Sequence, residues 1–316
     1  MATGWFWALF STALFACGQA PTKVEDPAPV RVAPSTVASA PVESAQVVRE
    51  TKPSCPADMQ LVDTDYCTEV ERNCLNDEYT KSNNITICHE FAQEPGRCVG
   101  TSRRQRFCMD TFEYPNVEGA RSPVMVDFHD AMGMCAEKGK RLCWESEWVA
   151  ACEGPDKTPF PYGYKRDPQV CNIDNPWRIP TLKKIYSQHE VIFAPELTRL
   201  DQAVPSGSKP GCKSGYGVFD QTGNVDEWVL LDPPRGKGGS AGLKGGAWGH
   251  VRNACRPVTT SHDAKFTYYF VSFRCCKDAE GEAPPGAPLW QAPPLPPQLK
   301  TGDAIVRGFT PPLKKR

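Results

Sequence analysis

The 316-residue sequence lacks a charge excess of either sign: 36 Lys and Arg stand against 37 Asp and Glu, a net charge of −1. It has no basic face and no Lys/Arg run, which excludes a partner held by nucleic-acid phosphates. Histidine is scarce. His89, His129, His189, His250 and His262 include no pair at i, i+3 or i, i+4, so no local imidazole cluster for an iron-type oxidase exists. No Cys-x-x-Cys pair recurs and no paired His follows at zinc-finger distance, which removes the structural-zinc classes. The Gly-rich stretch 236–246 has no Gly-Lys-Ser/Thr, so it reads as a surface loop rather than a phosphate cradle. No acid/base pair or nucleophile triad can be named. Internal repeats are absent, and so is the long β-α alternation of a doubly wound sheet.

Cysteine and proline are abundant instead. Fifteen cysteines are too many for a reducing cytosol and point to disulfides in an oxidising compartment. Residues 4–17 form an apolar run shorter than the roughly 20 residues a bilayer crossing needs, and suit a signal-peptide core. The run ends in Leu14-Phe15-Ala16-Cys17-Gly18, which resembles a bacterial lipobox with Cys17 as the lipidated residue. An ordinary secretory signal with an incidental cysteine is the alternative. With Cys17 set aside, fourteen of the fifteen cysteines remain, an even number. Thirty-one prolines exceed the usual share of about 5% and concentrate at the two ends. Residues 18–53 hold no aromatic residue and cannot offset their chain entropy by burial, so they read as a tether. Residues 279–316 read as a disordered Pro-rich tail with polyproline stretches.

The globular part is then 54–278. Residues 54–106 carry Cys55, Cys67, Cys74, Cys88 and Cys98 with little hydrophobic periodicity, and look like loops held by bridges. Asn84-Ile85-Thr86 is a formal glycosylation triplet. From Asp127 to Lys138, Phe128, Ala131, Met132 and Cys135 fall at i, i+3, i+4 and i+7, which predicts an amphipathic helix closed by Gly139. A second helix is predicted from Trp144 to Ala151. Beyond it the pattern predicts only loops and short strands, hence an irregular α+β fold.

Three ordered segments within residues 107–278 resemble the formylglycine-generating enzyme, or sulfatase-modifying factor, family. Gly139-Lys140-Arg141-Leu142-Cys143-Trp144-Glu145-Ser146-Glu147-Trp148 is similar to Gly-Lys-Arg-Leu-Pro-Thr-Glu-x-Glu-Trp. Gly217-Val218-Phe219-Asp220-Gln221-Thr222-Gly223-Asn224-Val225-Asp226-Glu227-Trp228 is similar to Gly-Leu-x-Asp-x-x-Gly-Asn-Val-x-Glu-Trp. Lys244-Gly245-Gly246-Ala247-Trp248, with Ser272-Phe273-Arg274-Cys275 downstream, is similar to Arg-Gly-Gly-Ser-Trp and Gly-Phe-Arg. The resemblance implies the C-type-lectin-like fold of that family, with few regular elements and bound calcium. From the residues alone, Arg141, Glu145 and Glu147 read as a solvated helix face, with Leu142 and Trp148 in the core. The Gly-Asn turn gathers Asp220, Asn224, Asp226 and Glu227, oxygen ligands of the kind Ca²⁺ prefers, although the residues alone favour a metal-free hydrogen-bonded turn formed by Asp220. The resemblance implies calcium on the Asp220 and Glu227 side chains and the Gly223 and Val225 carbonyls. A second ion would begin at Asn172 and Ile173, with Asp201 as its acid.

Enzymes of this family bind Cu(I) with two cysteines five positions apart, and soft thiolates suit that ion. Counted from Gly245, those positions are His250 and Cys255, the only catalytic candidates. Counted back from Arg274, Cys255 instead matches a structural cysteine that bridges to Cys152, with Cys135 bridging to Cys275; no partner is assigned to Cys276. The expected function is a non-catalytic, calcium-stabilised binding or scaffold module for a protein or glycan ligand. It would be held at the cell surface, as an outer-membrane or periplasmic lipoprotein, touching the membrane through its lipid alone. Copper-dependent oxidation of a sulfatase cysteine to formylglycine is the alternative.

Overall fold

The computed structural model describes residues 54–81, 84–249, 252–280 and 308–312. Cys17, His250 and the tether 18–53 lie outside them. The N-terminal part forms β1 (Met59–Cys67), β2 (Val70–Glu71), β3 (Cys74–Thr80), β4 (Ile85–Phe91), β5 (Arg97–Cys98) and β6 (Ser102–Asp110). Then come α1 (Phe128–Glu137), β7 (Arg141–Leu142), α2 (Glu145–Glu153), α3 (Leu182–Ile185) and α4 (Glu190–Leu200). The chain closes with β8 (Asp226–Leu230), β9 (Ala241–Lys244), β10 (Val258–Thr259), β11 (Val271–Phe273) and β12 (Cys275–Asp278). One four-stranded sheet runs β1-β6-β12-β7 and a second β10-β9-β8-β11, with β2-β5 and β3-β4 as small separate pairs.

Residues 54–106 are therefore ribbon, not loops. Their apolar pattern is weak because the outer face of the β1-β6 pair carries charge. Asp63 faces Arg106 and Asp65 faces Arg104 across the register, and Arg104 Nη2 reaches Asp63 at 2.7 Å. The inner face holds Val62, Phe107 and Met109. Disulfides then fix each ribbon: Cys55–Cys108, Cys67–Cys98 and Cys74–Cys88.

Helix α1 begins where expected, because the Asp127 carboxylate accepts from Asp130 N at 2.7 Å and so caps the first turn. Gly139 follows the C-cap at φ +65, a left-handed position that suits glycine. The stretch beyond α2 contains a helix the pattern did not predict, α4. Its Pro195 reads as a breaker in sequence, and only Glu196, Leu197 and Leu200 are buried, too few for a visible stripe. The expected solvated face of the first motif is also corrected. Glu147 is buried, with Arg141 donating to both its oxygens at 2.7 Å while it accepts from Trp144 N at 2.9 Å. Glu145 is buried too, against Arg235. Within 236–246 the surface-loop expectation fails for Ala241–Lys244. That segment is the fully buried β9, hydrogen-bonded between β8 and β10.

Two large apolar clusters share the interior with a small third one of Cys171, Ile173 and Cys212. One joins α1 to the second sheet through Phe128, Trp228, Leu243 and Phe273; the other surrounds Trp148 and the Cys152–Cys255 bridge. Part of the tail read as disordered is docked: Phe309 and Val124 exchange two backbone hydrogen bonds of 2.8 Å, and the Phe309 ring packs edge-on against Phe193.

Candidate functional site

The Gly-Asn turn is forced by contact. A Cβ on Gly223 would lie 2.3 Å from the Asn172 carbonyl oxygen, and Gly223 sits at φ +85. The turn therefore packs directly on Asn172 and Ile173, bringing both expected calcium sites side by side. Asp220 and Asn224 also adopt positive φ, at 58° and 53°. From this turn β8 carries Glu227 into the interior, where Arg274 Nη2 donates to Oε1 and Nε to Oε2, each at 2.7 Å. Trp148 Nε1 adds a third bond to Oε2 at 2.9 Å.

Asp220 Oδ2 accepts from Gly207 N at 2.7 Å, while its Oδ1 is buried with no hydrogen-bond partner. Burial pushes its carboxyl up to about 6, with Glu227 adding repulsion. A third acid, Glu113, was not identified from sequence. It accepts from Asn224 Nδ2 at 2.8 Å, Ser122 Oγ at 2.9 Å and Ser206 Oγ at 3.1 Å. Complete burial, then the charges of Asp220 and Glu227, push Glu113 up to about 8. No motif covers Glu113, so nothing in the sequence signals it. Three acids against one guanidinium, with an orphaned carboxylate oxygen, suit a divalent cation. Among the described residues no three acid, imidazole or thiol side chains converge as a ligand set, so such an ion would draw on backbone carbonyls as well.

The second set differs. Asp201 is buried and ion-paired with Arg121, and its Oδ1 accepts from Ala203 N at 3.1 Å. Asn172 Oδ1 accepts from Asn175 Nδ2 at 2.8 Å, and its Nδ2 donates to Asn224 Oδ1 at 2.9 Å. Its acid is paired with Arg121 as Glu227 is with Arg274, and the set holds no orphaned carboxylate oxygen like that of Asp220, which leaves Asp220 as the better-fitting ligand of the two sites. Copper does not fit. Cys255 is buried and bridged to Cys152, Cys135 is bridged to Cys275, and Cys276 pairs with Cys143. With Cys171–Cys212, every described cysteine is in a disulfide, so no thiolate pair is available among the described residues.

The segment after Trp248 lines a cleft of about 810 Å³. Its walls are Trp177, Tyr186, Phe266, Tyr268 and Phe270, with Asp226 among the lining residues. Asp226 is buried, accepts from Gly246 N at 3.3 Å, and is pushed by burial up to about 7. His262 stacks on Phe266 with ring centroids 3.7 Å apart. Burial, then Lys237 and Arg252, hold its imidazole below the usual histidine value. Flat rings thus surround a few hydrogen-bonding groups in this cleft.

A model of the family described as "Sulfatase-modifying factor enzyme 1-like domain" matches residues 61–279. The mouse formylglycine-generating enzyme is 31% identical over 109 residues, covering 34% of this chain and 26% of that protein. The bovine "Inactive C-alpha-formylglycine-generating enzyme 2" is 29% identical over 128 residues, covering 40% and 38%. The chain thus spans well under half the length of these curated relatives. Among solved structures, CarF has 14% identity and TM-score 0.43, covering 70% of this chain and 98% of its own. PvdO from Pseudomonas aeruginosa has 15% and 0.42, covering 72% and 99%.

Proposed function

We propose a function from one premise: the chain belongs to the sulfatase-modifying factor enzyme 1-like family. It acts as a binding module without the family's oxidase chemistry, taking a saccharide ligand in the aromatic cleft. The observation that carries this reading is the Cys152–Cys255 disulfide. It consumes the one cysteine near the position that Cu(I) requires and buries both sulfurs. The aromatic cleft has the features of a recognition site. Trp177 and Tyr186 are about half exposed and offer faces for stacking, while Thr259, Ser261 and Asp226 offer hydroxyl and carboxyl partners.

Calcium belongs to this reading as a structural ion beside Asp220, where it would balance the acid excess and tie the turn to the Asn172 segment. The seven bridges place the protein in an oxidising compartment. Among the described residues no helix is long and apolar enough to cross a membrane, and a lipid on Cys17 is the attachment we propose. The deciding experiment incubates the purified protein with Cu(I) and a Cys-x-Pro-x-Arg peptide and weighs the peptide by mass spectrometry. The mass stays unchanged on this reading; an aldehyde product overturns it.

A further inference from the structure

Next to the aromatic cleft lies a second cavity of about 380 Å³ that shares Ile85 and Arg252 with it. Arg72, Arg166, Arg252 and Arg256 all line this cavity, and among the described residues no Asp or Glu does. The hairpin β3-β4 forms one wall: Phe91 N donates to the Tyr164 carbonyl at 2.9 Å and the Phe91 ring meets Phe160 edge-on.

The arginines are unevenly paired. Arg166 is neutralised by Asp174 and also donates to Asn253 Oδ1. Arg256 holds both oxygens of Glu153, at 2.7 and 2.9 Å, and Arg72 must share the first of them through Nη2 at 2.8 Å. Four guanidiniums against Glu153 and Asp174 leave two positive charges in excess. Arg72 shows the imbalance most directly. Its side chain is nine-tenths buried, yet Nε and Nη1 have no hydrogen-bond partner. Guanidinium does not deprotonate to relieve this, and a buried N–H left without a partner is destabilising. Arg252 is exposed, so one charge of the cavity remains open to solvent.

We propose that this cavity is an oxyanion site for a sulfate or phosphate group, with Arg252 as its exposed donor and Arg72 as the uncompensated charge buried in its wall. Forked N–H groups in a partly apolar wall match tetrahedral oxyanions, and exclusion of water strengthens the pairing. Because Ile85 and Arg252 belong to both cavities, a sulfate or phosphate ester on a saccharide could seat its anion here with its ring in the cleft. That extension rests on the cleft being a saccharide site; the anion site itself does not.

The test is titration calorimetry on the full chain with inorganic sulfate, inorganic phosphate, N-acetylglucosamine and its 6-sulfate, each against sodium chloride at equal ionic strength. Saturable heat is expected with sulfate or phosphate, weakened about tenfold or more by Arg252→Gln, whose exposed side chain is not needed for folding. Arg72→Gln should weaken it similarly, with a melting curve to check the fold. No saturable binding of either ion, or equal binding by Arg252→Gln, overturns the site. The 6-sulfate should bind more tightly than the ion and lose that advantage in Trp177→Ala. If it binds no better than the ion, the anion site stands and its link to the cleft fails.

Discussion

Arg274 and Glu227 are each buried at the centre of the molecule and meet through two hydrogen bonds of 2.7 Å. Such a pair adds little against an apolar substitute, but removing one partner strands the other charge. Glu227→Gln should therefore cost about 3–5 kcal/mol, read as a lower urea midpoint with an unchanged slope. Lys244 gives a prediction with a pH sign. Burial holds its ammonium down to about 7, where Nζ donates to the Arg256 carbonyl at 2.8 Å. Unfolded, it keeps its proton up to about 10.5. Between these values the unfolded chain binds the extra proton, so this residue's contribution to stability rises with pH. Lys244→Met should gain most on wild type near pH 7 and least near pH 10, in melting curves taken at both. A constant difference across that range would contradict the assignment. Asp220 and Glu227 were legible because a motif and its spacing marked them. Glu113 was not, since its role arises only when a distant segment folds against the turn.

At the scale of elements, periodicity was informative where one face alone is buried. Helix α1 was legible from Phe128, Ala131, Met132 and Cys135, all now buried. Helix α4 was not, because Pro195 interrupts it and its apolar residues Val191 and Ile192 are exposed. The hairpin β3-β4 escaped notice for a related reason: Cys74–Lys81 is almost wholly exposed, so no alternation is written into it. Its staple should matter locally. Closing the 14-residue separation of Cys74 and Cys88 is worth at most about 3 kcal/mol by chain entropy. The 140-residue separation of Cys135 and Cys275 gives about 5, and both sulfurs are buried between α1 and β12. The double variant Cys74→Ser/Cys88→Ser should keep a cooperative melt and show faster amide exchange across the hairpin. Cys135→Ser/Cys275→Ser should lose the cooperative transition or shift it by more than 10 °C, roughly what about 5 kcal/mol implies for a domain of this size.

For the molecule as a whole, long loops around small sheets leave much backbone outside regular structure, so covalent and ionic ties carry weight that a larger core would carry elsewhere. No disulfide among the described residues has a cysteine within the Asp220–Glu227 turn, where Asp220 and Glu227 are buried together with Glu113 and Arg274. Calcium binding at that turn should stabilise the folded chain by mass action, about 2.7 kcal/mol at a hundred times its dissociation constant. Thermal melts in calcium and in chelator should then differ by several degrees, and Asp220→Ala should abolish the difference. Asp201→Asn is the informative comparison. It disturbs the pair with Arg121, so it should lower both melts while leaving the gap between them intact. If chelator changes nothing in the native chain, the orphaned Asp220 Oδ1 is met by its own proton rather than by a cation. With its carboxyl raised to about 6, it holds that proton only below about pH 6, so melts on either side of that pH separate the two cases.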